Sequence, residues 1–203
     1  RARSLDGSQE IRAKIRSACP GIVSYMEEPE KQHVTLGVLC LDTEDKVARC
    51  KAHFENGAKN LRERRLFPAT GFEVSFDRFD MFGDRVLFLK PTEACIAKFR
   101  EVRACLFDEH VSVFDTERWR REYNPHMTLA KRTGWVSKSR RVGSAGSGQQ
   151  QQQVPEMPKD VGVLDGIAVD VRAVAMTVEL VRMRGEKEQD GYYKVLASES
   201  LCG

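Results

Sequence analysis

The chain has 203 residues, enough for one globular domain or two small lobes with a real core. Apolar residues make up 41% and charged residues 31%, the ordinary balance of a soluble protein, and a formal charge of +3 is too small to announce nucleic-acid binding by itself. Six scattered cysteines without a CxxC pair or metal-ligand spacing argue against a structural metal site and for a reduced setting.

In chain order, Ser8 to Ala18 reads as a helix, with Ser8 as its cap and Ile11, Ile15 and Ala18 near helical spacing; Pro20-Gly21 stops it. Ile22 to Met26 is a short strand candidate and Gln32 to Leu41 a stronger one. Thr43 caps a long helix from Glu44 to about Arg65, with Glu44 and Asp45 in its first turn. Phe72, Val74 and Phe76 alternate as in a strand. A turn at Phe82-Gly83-Asp84 leads into a second strand over Arg85 to Leu89, so the pair reads as a hairpin. Thr92 opens a helix to about Asp108, with Ile96, Phe99, Val102 and Leu106 on one face. His126 to Lys131 is a strand. Residues Gly134 to Asp160, with glutamines at 149 to 153, read as a flexible Ser/Gly/Gln-rich insert that has no core to build. Order resumes at Val161; Ala173 to Met183 is a strand that pairs with Gly191 to Ala197 across a polar loop.

Two strings carry the chemistry: His33-Val34-Thr35-Leu36 and Pro125-His126-Met127-Thr128-Leu129. On a strand, residues i and i+2 point to the same face, so each string sets an imidazole beside a hydroxyl. Only four histidines occur in the chain, and two of them sit in this pattern; His53 and His110 stand outside any motif. Imidazole titrates close to operating pH, so one histidine can act as base and the other as acid on a single phosphate. Thr35 and Thr128 can then hold the nonbridging oxygens as charge grows. This outlines a phosphodiesterase that needs neither metal nor cofactor. Lys131, just beyond the second motif, and Arg85 are candidate phosphate contacts; Tyr123 and Phe82 are candidate stacking partners for a base. Local basic clusters occur at Arg62, Arg64 and Arg65, at Arg118, Arg120 and Arg121, and at Lys138, Arg140 and Arg141.

The two motifs lie about ninety residues apart with a hairpin between them. On these features the chain resembles the 2H phosphoesterase superfamily (LigT-like, 2′-5′ RNA ligase-like), whose signature is two copies of His-x-Thr/Ser followed by an apolar residue. It looks most like the eukaryotic branch containing the central nucleotide-binding domain of an A-kinase anchoring protein. Supporting strings are Phe82-Gly83-Asp84-Arg85-Val86, Asn124-Pro125-His126 with Lys131, and Asp190-Gly191-Tyr192-Tyr193. The resemblance implies an α+β fold of two-lobed antiparallel sheets with flanking helices, one motif per lobe facing a central cleft. It implies action on 2′-5′ linkages, 2′,3′-cyclic phosphates or RNA 3′ ends, or simple binding of an AMP-like nucleotide. The family opens with a strand before the first helix; here only Arg1 to Asp6 precedes it, so that strand is expected to be truncated or missing. The expected whole is a single bilobal domain over residues 1–203, monomeric, without a membrane segment, intracellular (cytoplasmic or nuclear), and cut from a longer multidomain protein. The expected partner is RNA, an oligonucleotide or a mononucleotide.

Overall fold

The computed structural model describes residues 2–65, 67–68, 70–108, 122–132 and 157–201. Most of the insert, His110, the basic clusters at Arg118 to Arg121 and at Lys138 to Arg141, and Cys202 lie outside them. The described elements are β1 (Ala2–Asp6), α1 (Ser8–Ala18), α2 (Glu44–Glu63), β2 (Phe72–Phe82), β3 (Val86–Pro91), α3 (Glu93–Arg103), β4 (Met127–Lys131), β5 (Val171–Ala175), β6 (Thr177–Lys187) and β7 (Tyr193–Ser200). They build two antiparallel sheets, a five-stranded one in the order β1-β5-β2-β3-β4 and a two-stranded one of β6 and β7. This is the expected α+β, two-lobed architecture.

Each helix is set by a narrow apolar stripe. Ile11 and Ile15 of α1 are buried against the large sheet, among Phe72, Val74, Leu87 and Leu89. Cys50, Phe54, Ala58 and Leu61 of α2 form a second core with Val178 of β6 and Leu201. Gly57 lets α2 approach the turn after α3: a Cβ there would lie 2.8 Å from the Cys105 carbonyl oxygen and 2.8 Å from the Leu106 Cα. Thr43 caps α2 as expected, accepting a bond from the Lys46 amide, and Thr92, read as the start of the next helix, caps α3 by accepting from the Cys95 amide.

Several sequence expectations need correction. Of the two outcomes expected for the N-terminal strand, truncated or missing, it is not missing: the short Ala2–Asp6 pairs antiparallel with β5. Ser8 is the first helical residue of α1, not its cap; Gly7 takes that place at φ 81°, a left-handed conformation that glycine adopts without strain. Pro20–Tyr25 is a 3-10 turn rather than a strand, because Pro20 fixes a helical φ at its first position. Ala173 to Met183 is not one strand. The chain leaves the large sheet at Met176 and continues as β6 of the small one, a switch that a continuous apolar alternation conceals. Helix α2 ends at Glu63, and Met157, inside the stretch read as an insert, is buried in the main core.

The segment Gln32 to Leu41 also departs from expectation. It is part of neither sheet; Val34 forms an isolated antiparallel bridge to Met127 of β4, and Cys40 makes a further isolated bridge. Upstream, Met26 bridges to Ala130 and the Glu27 amide donates to the Leu129 carbonyl at 2.8 Å. The chain from 26 to 34 thus covers the outer edge of the large sheet, which would otherwise expose unpaired backbone groups. A cavity of about 810 Å³ separates this segment from β6 and the interior, with largely aliphatic and aromatic walls. It touches His33 and Thr35, whereas His126 and Thr128 are not in its walls.

Candidate active site

The bridge between Val34 and Met127 brings the two motifs together. In an antiparallel pair their flanking residues also face one another, so His33 falls beside Thr128 and Thr35 beside His126. Met127 and Leu129 point into the core, and Pro125 is buried too, whereas His126 and Thr128 alternate with them onto the half-buried face. All four motif residues therefore share one face at the seam between the lobes.

Both imidazoles are oriented alike. His33 Nδ1 lies 2.8 Å from the Lys31 carbonyl oxygen, and His126 Nδ1 lies 2.9 Å from the Asn124 carbonyl oxygen. A carbonyl can only accept, so in each ring Nδ1 carries the proton and donates it, leaving Nε2 for chemistry. Local backbone produces each acceptor. Pro29–Lys31 is a 3-10 turn with Pro29 at its first position, and it presents the Lys31 carbonyl. Pro125 biases Asn124 to extended backbone, two residues before His126.

The rings differ in their surroundings. His126 meets Phe82 edge-on at 4.9 Å and Phe88 at 5.0 Å. Burial in this apolar setting pulls its pKa below the ordinary imidazole value; the bond to Asn124 opposes this, and the nearby charges of His33 and Lys131 add to it. The response to His33 marks the two imidazoles as electrostatic neighbours. His33 instead stands edge-on to Tyr192 at 5.9 Å and Tyr193 at 6.0 Å.

Lys131 reaches the site face through a β-bulge. Thr128 lies opposite Phe88, Ala130 opposite Leu87 and Lys131 opposite Val86, which leaves Leu129 as an extra residue. Val86 and Phe88 share a face, so Lys131 and Thr128 do as well, although an odd spacing would separate them on a regular strand. Phe82 pairs with Val86 and joins the same face. Its position is braced by the Asp84–Arg132 ion pair at 2.7 Å and by the Arg132 amide donating to the Arg85 carbonyl. The Arg132 guanidinium also holds the Asp84 carboxyl below its usual pKa.

The other candidates are less well placed. Arg85 is exposed in the β2–β3 turn. Tyr123 packs against the main core, Arg103 lies over its ring at 5.0 Å, and its buried hydroxyl has no hydrogen-bond partner among the described residues. That burial pushes the phenol pKa up. The structure does not bring Tyr123 to the histidines. Tyr192 and Tyr193, by contrast, flank His33 although sequence reasoning gave them no role. Their signal was the Asp190-Gly191-Tyr192-Tyr193 string, and its place beside His33 depends on the β6–β7 turn. Among the described residues no group of three or more His, Cys, Asp or Glu side chains is placed to hold a metal, and no helix is long and apolar enough to cross a membrane.

Two antiparallel sheets with a His-x-Thr pair meeting at their seam define a 2H phosphoesterase fold. The chain belongs to the family described as the AKAP7 2'5' RNA ligase-like domain, which matches residues 5–201. No curated protein gives a significant match. Among solved structures, TT0787 of Thermus thermophilus is similar at 20% identity and a TM-score of 0.49, over 96% of this chain and 93% of its own. Escherichia coli LigT, solved with 3'-AMP, is similar at 17% identity and a TM-score of 0.44, over 98% of each chain. The same protein solved with NADP+ gives 18% identity and a TM-score of 0.39, over the whole of both chains.

Proposed function

We propose that the protein is a metal-independent phosphodiesterase acting on RNA or oligonucleotides, at 2′-5′ linkages, 2′,3′-cyclic phosphates or RNA 3′ ends. The observation that carries this reading is the matched pair of imidazoles, each with Nδ1 tied to a backbone carbonyl two residues upstream and Nε2 left available. One neutral Nε2 takes a proton from a ribose hydroxyl or a water, the oxygen attacks phosphorus, and the other histidine protonates the leaving oxygen. His126, held neutral by its apolar cage, suits the base; His33 then supplies the proton. Thr35 and Thr128 donate to the nonbridging oxygens. Lys131, re-aimed by the bulge, neutralises phosphate charge, and exposed Phe82 offers a ring to a base. Arg85 is a peripheral phosphate contact. Membership in a 2'5' RNA ligase-like family supports the nucleotide phosphodiester as the substrate class.

The test is a panel of 2′-5′ and 3′-5′ oligonucleotides and 2′,3′-cyclic phosphates, with products read by mass, for the native chain and for a His33→Ala/His126→Ala variant. Cleavage of at least one class by the native chain alone is expected. Nucleotide binding without cleavage of any member would make the domain an AMP-type binding module instead.

A further inference from the structure

Contacts from two segments surround His33, and Lys31 touches both the ring and the turn that carries its neighbours. Its carbonyl accepts the His33 Nδ1–H bond at 2.8 Å. Its ammonium pairs with Glu28 at 2.8 Å, and that bond, reinforced by the nearby Asp190 and Glu27 carboxylates, holds it above the ordinary lysine pKa. The same Nζ would lie 3.3 Å from a Cβ at Gly191, so the lysine tip rests on the turn between β6 and β7. Gly191 has φ 77°, which an L side chain resists. In that turn the Tyr192 amide donates to Asp190 Oδ1 at 2.8 Å, which fixes the start of the Tyr192-Tyr193 pair. The two tyrosine rings lie 5.4 Å apart, and both stand edge-on to His33.

We propose that Lys31 is the positioning residue of the first histidine: its carbonyl fixes the His33 tautomer, and its ammonium seats the Asp190–Gly191 turn that walls the same ring with Tyr192 and Tyr193. The proposal rests on the reading that His33 moves a proton. Its geometric half is independent of that reading. Lys31 touches no reacting atom. It acts through the ring it holds, and an imidazole displaced by about an ångström loses most of its alignment with a leaving oxygen.

Lys31→Met keeps the carbonyl and the aliphatic stem and removes the ammonium; Lys31→Arg keeps the charge. The first readout is histidine NMR on the unliganded chain. His33 in the native protein is expected in the Nδ1–H tautomer, with ring-proton shifts displaced by the two tyrosines. Lys31→Met should cut that displacement by about half or more, and Lys31→Arg should retain it. Gly191→Ala perturbs the turn from the other side and should act like Lys31→Met, so the test does not hang on one variant. The second readout is turnover: kcat should fall roughly tenfold in Lys31→Met with KM within about twofold, and Lys31→Arg should recover most of it. Unchanged His33 shifts in both Lys31→Met and Gly191→Ala overturn the proposal, as does a displaced His33 with unchanged kcat. A native chain with no turnover on any phosphodiester refutes the enzyme reading, and the NMR result alone then decides whether Lys31 seats the ring.

Discussion

Phe82→Ala probes stability and chemistry with one change. The ring is 41% exposed, yet it lies 4.4 Å from Phe88 and 4.9 Å from His126. About three-fifths of a phenyl side chain is therefore hidden, on the order of 120 Å², worth at most roughly 3 kcal/mol at about 25 cal/mol per Å². A loss of about 2 kcal/mol is expected, lowering the melting temperature by roughly 4–8 °C for a chain of this size. The chemical effect is more specific. Removing one wall of the apolar cage returns water to His126, so its pKa rises toward the ordinary value of about 6.5. The acidic limb of the pH–rate profile should move up with it, and so should the NMR titration of the His126 ring. Phe82→Leu retains an apolar wall, so the limb should stay near its native position while any stacking of a base is lost as a higher KM. A His126 titration unmoved in Phe82→Ala would refute the claim that this ring contributes to the desolvation of the histidine.

Further outcomes follow from the same geometry. Gly57→Ala should destabilise the fold although alanine gains about 1 kcal/mol in a helix, because its Cβ meets backbone at 2.8 Å and such overpacking costs about 1–3 kcal/mol; a raised melting temperature would show that α2 can shift freely. Lys131→Gln should weaken substrate binding by roughly tenfold, the scale of one lost charge-assisted contact, and raise the His126 pKa by removing a nearby cation; steady-state kinetics and a ring titration measure the two effects. Turnover should survive excess EDTA, since two histidines can move both protons. Activity lost to the chelator and restored by one divalent ion would contradict the two-histidine scheme.

The motifs were legible because their chemistry is local: His-x-Thr followed by an apolar residue is a four-residue pattern, and alternation sets histidine and threonine on one face. The cap at Thr43 was legible for the same reason, being a side chain that bonds its own neighbourhood. What failed was non-local. Met176 gives no sign that the chain changes sheet there, because apolar alternation continues through it. Gln32 to Leu41 has the composition of a strand, but a strand requires continuous pairing, and the segment shows isolated bridges at Val34 and Cys40 instead. Tyr123 precedes the second motif by three residues and looked available to a base; Arg103, from a different element, takes the ring. Lys131 was singled out on its position after the motif, yet its aim depends on a bulge at Leu129 that only the register with β3 reveals.

The two histidines should behave as one unit whose halves respond differently to pH. His33→Ala and His126→Ala are each expected to cost about 100-fold or more in kcat, the scale of a lost general acid or base. The double variant should cost less than the product of the two, because both residues serve one proton-transfer scheme. Thr35→Ala and Thr128→Ala should be milder, each removing one donor while acid and base remain. The native pH–rate profile should be bell-shaped, and each histidine variant should lose one limb; with His126 as base, its loss removes the acidic limb. Stability supplies a check that does not depend on turnover. The folded pKa of His126 lies below its unfolded value, so below about pH 6.5 the unfolded chain binds more protons at this site and folding weakens as pH falls. Replacing His126 with glutamine should flatten that part of the stability–pH curve, measured by chemical denaturation between about pH 5 and 8. A curve that stays equally steep without His126 would show that its burial is not coupled to folding. A histidine variant that keeps native turnover on every substrate the native chain cleaves would refute the paired mechanism and favour a nucleotide-binding module.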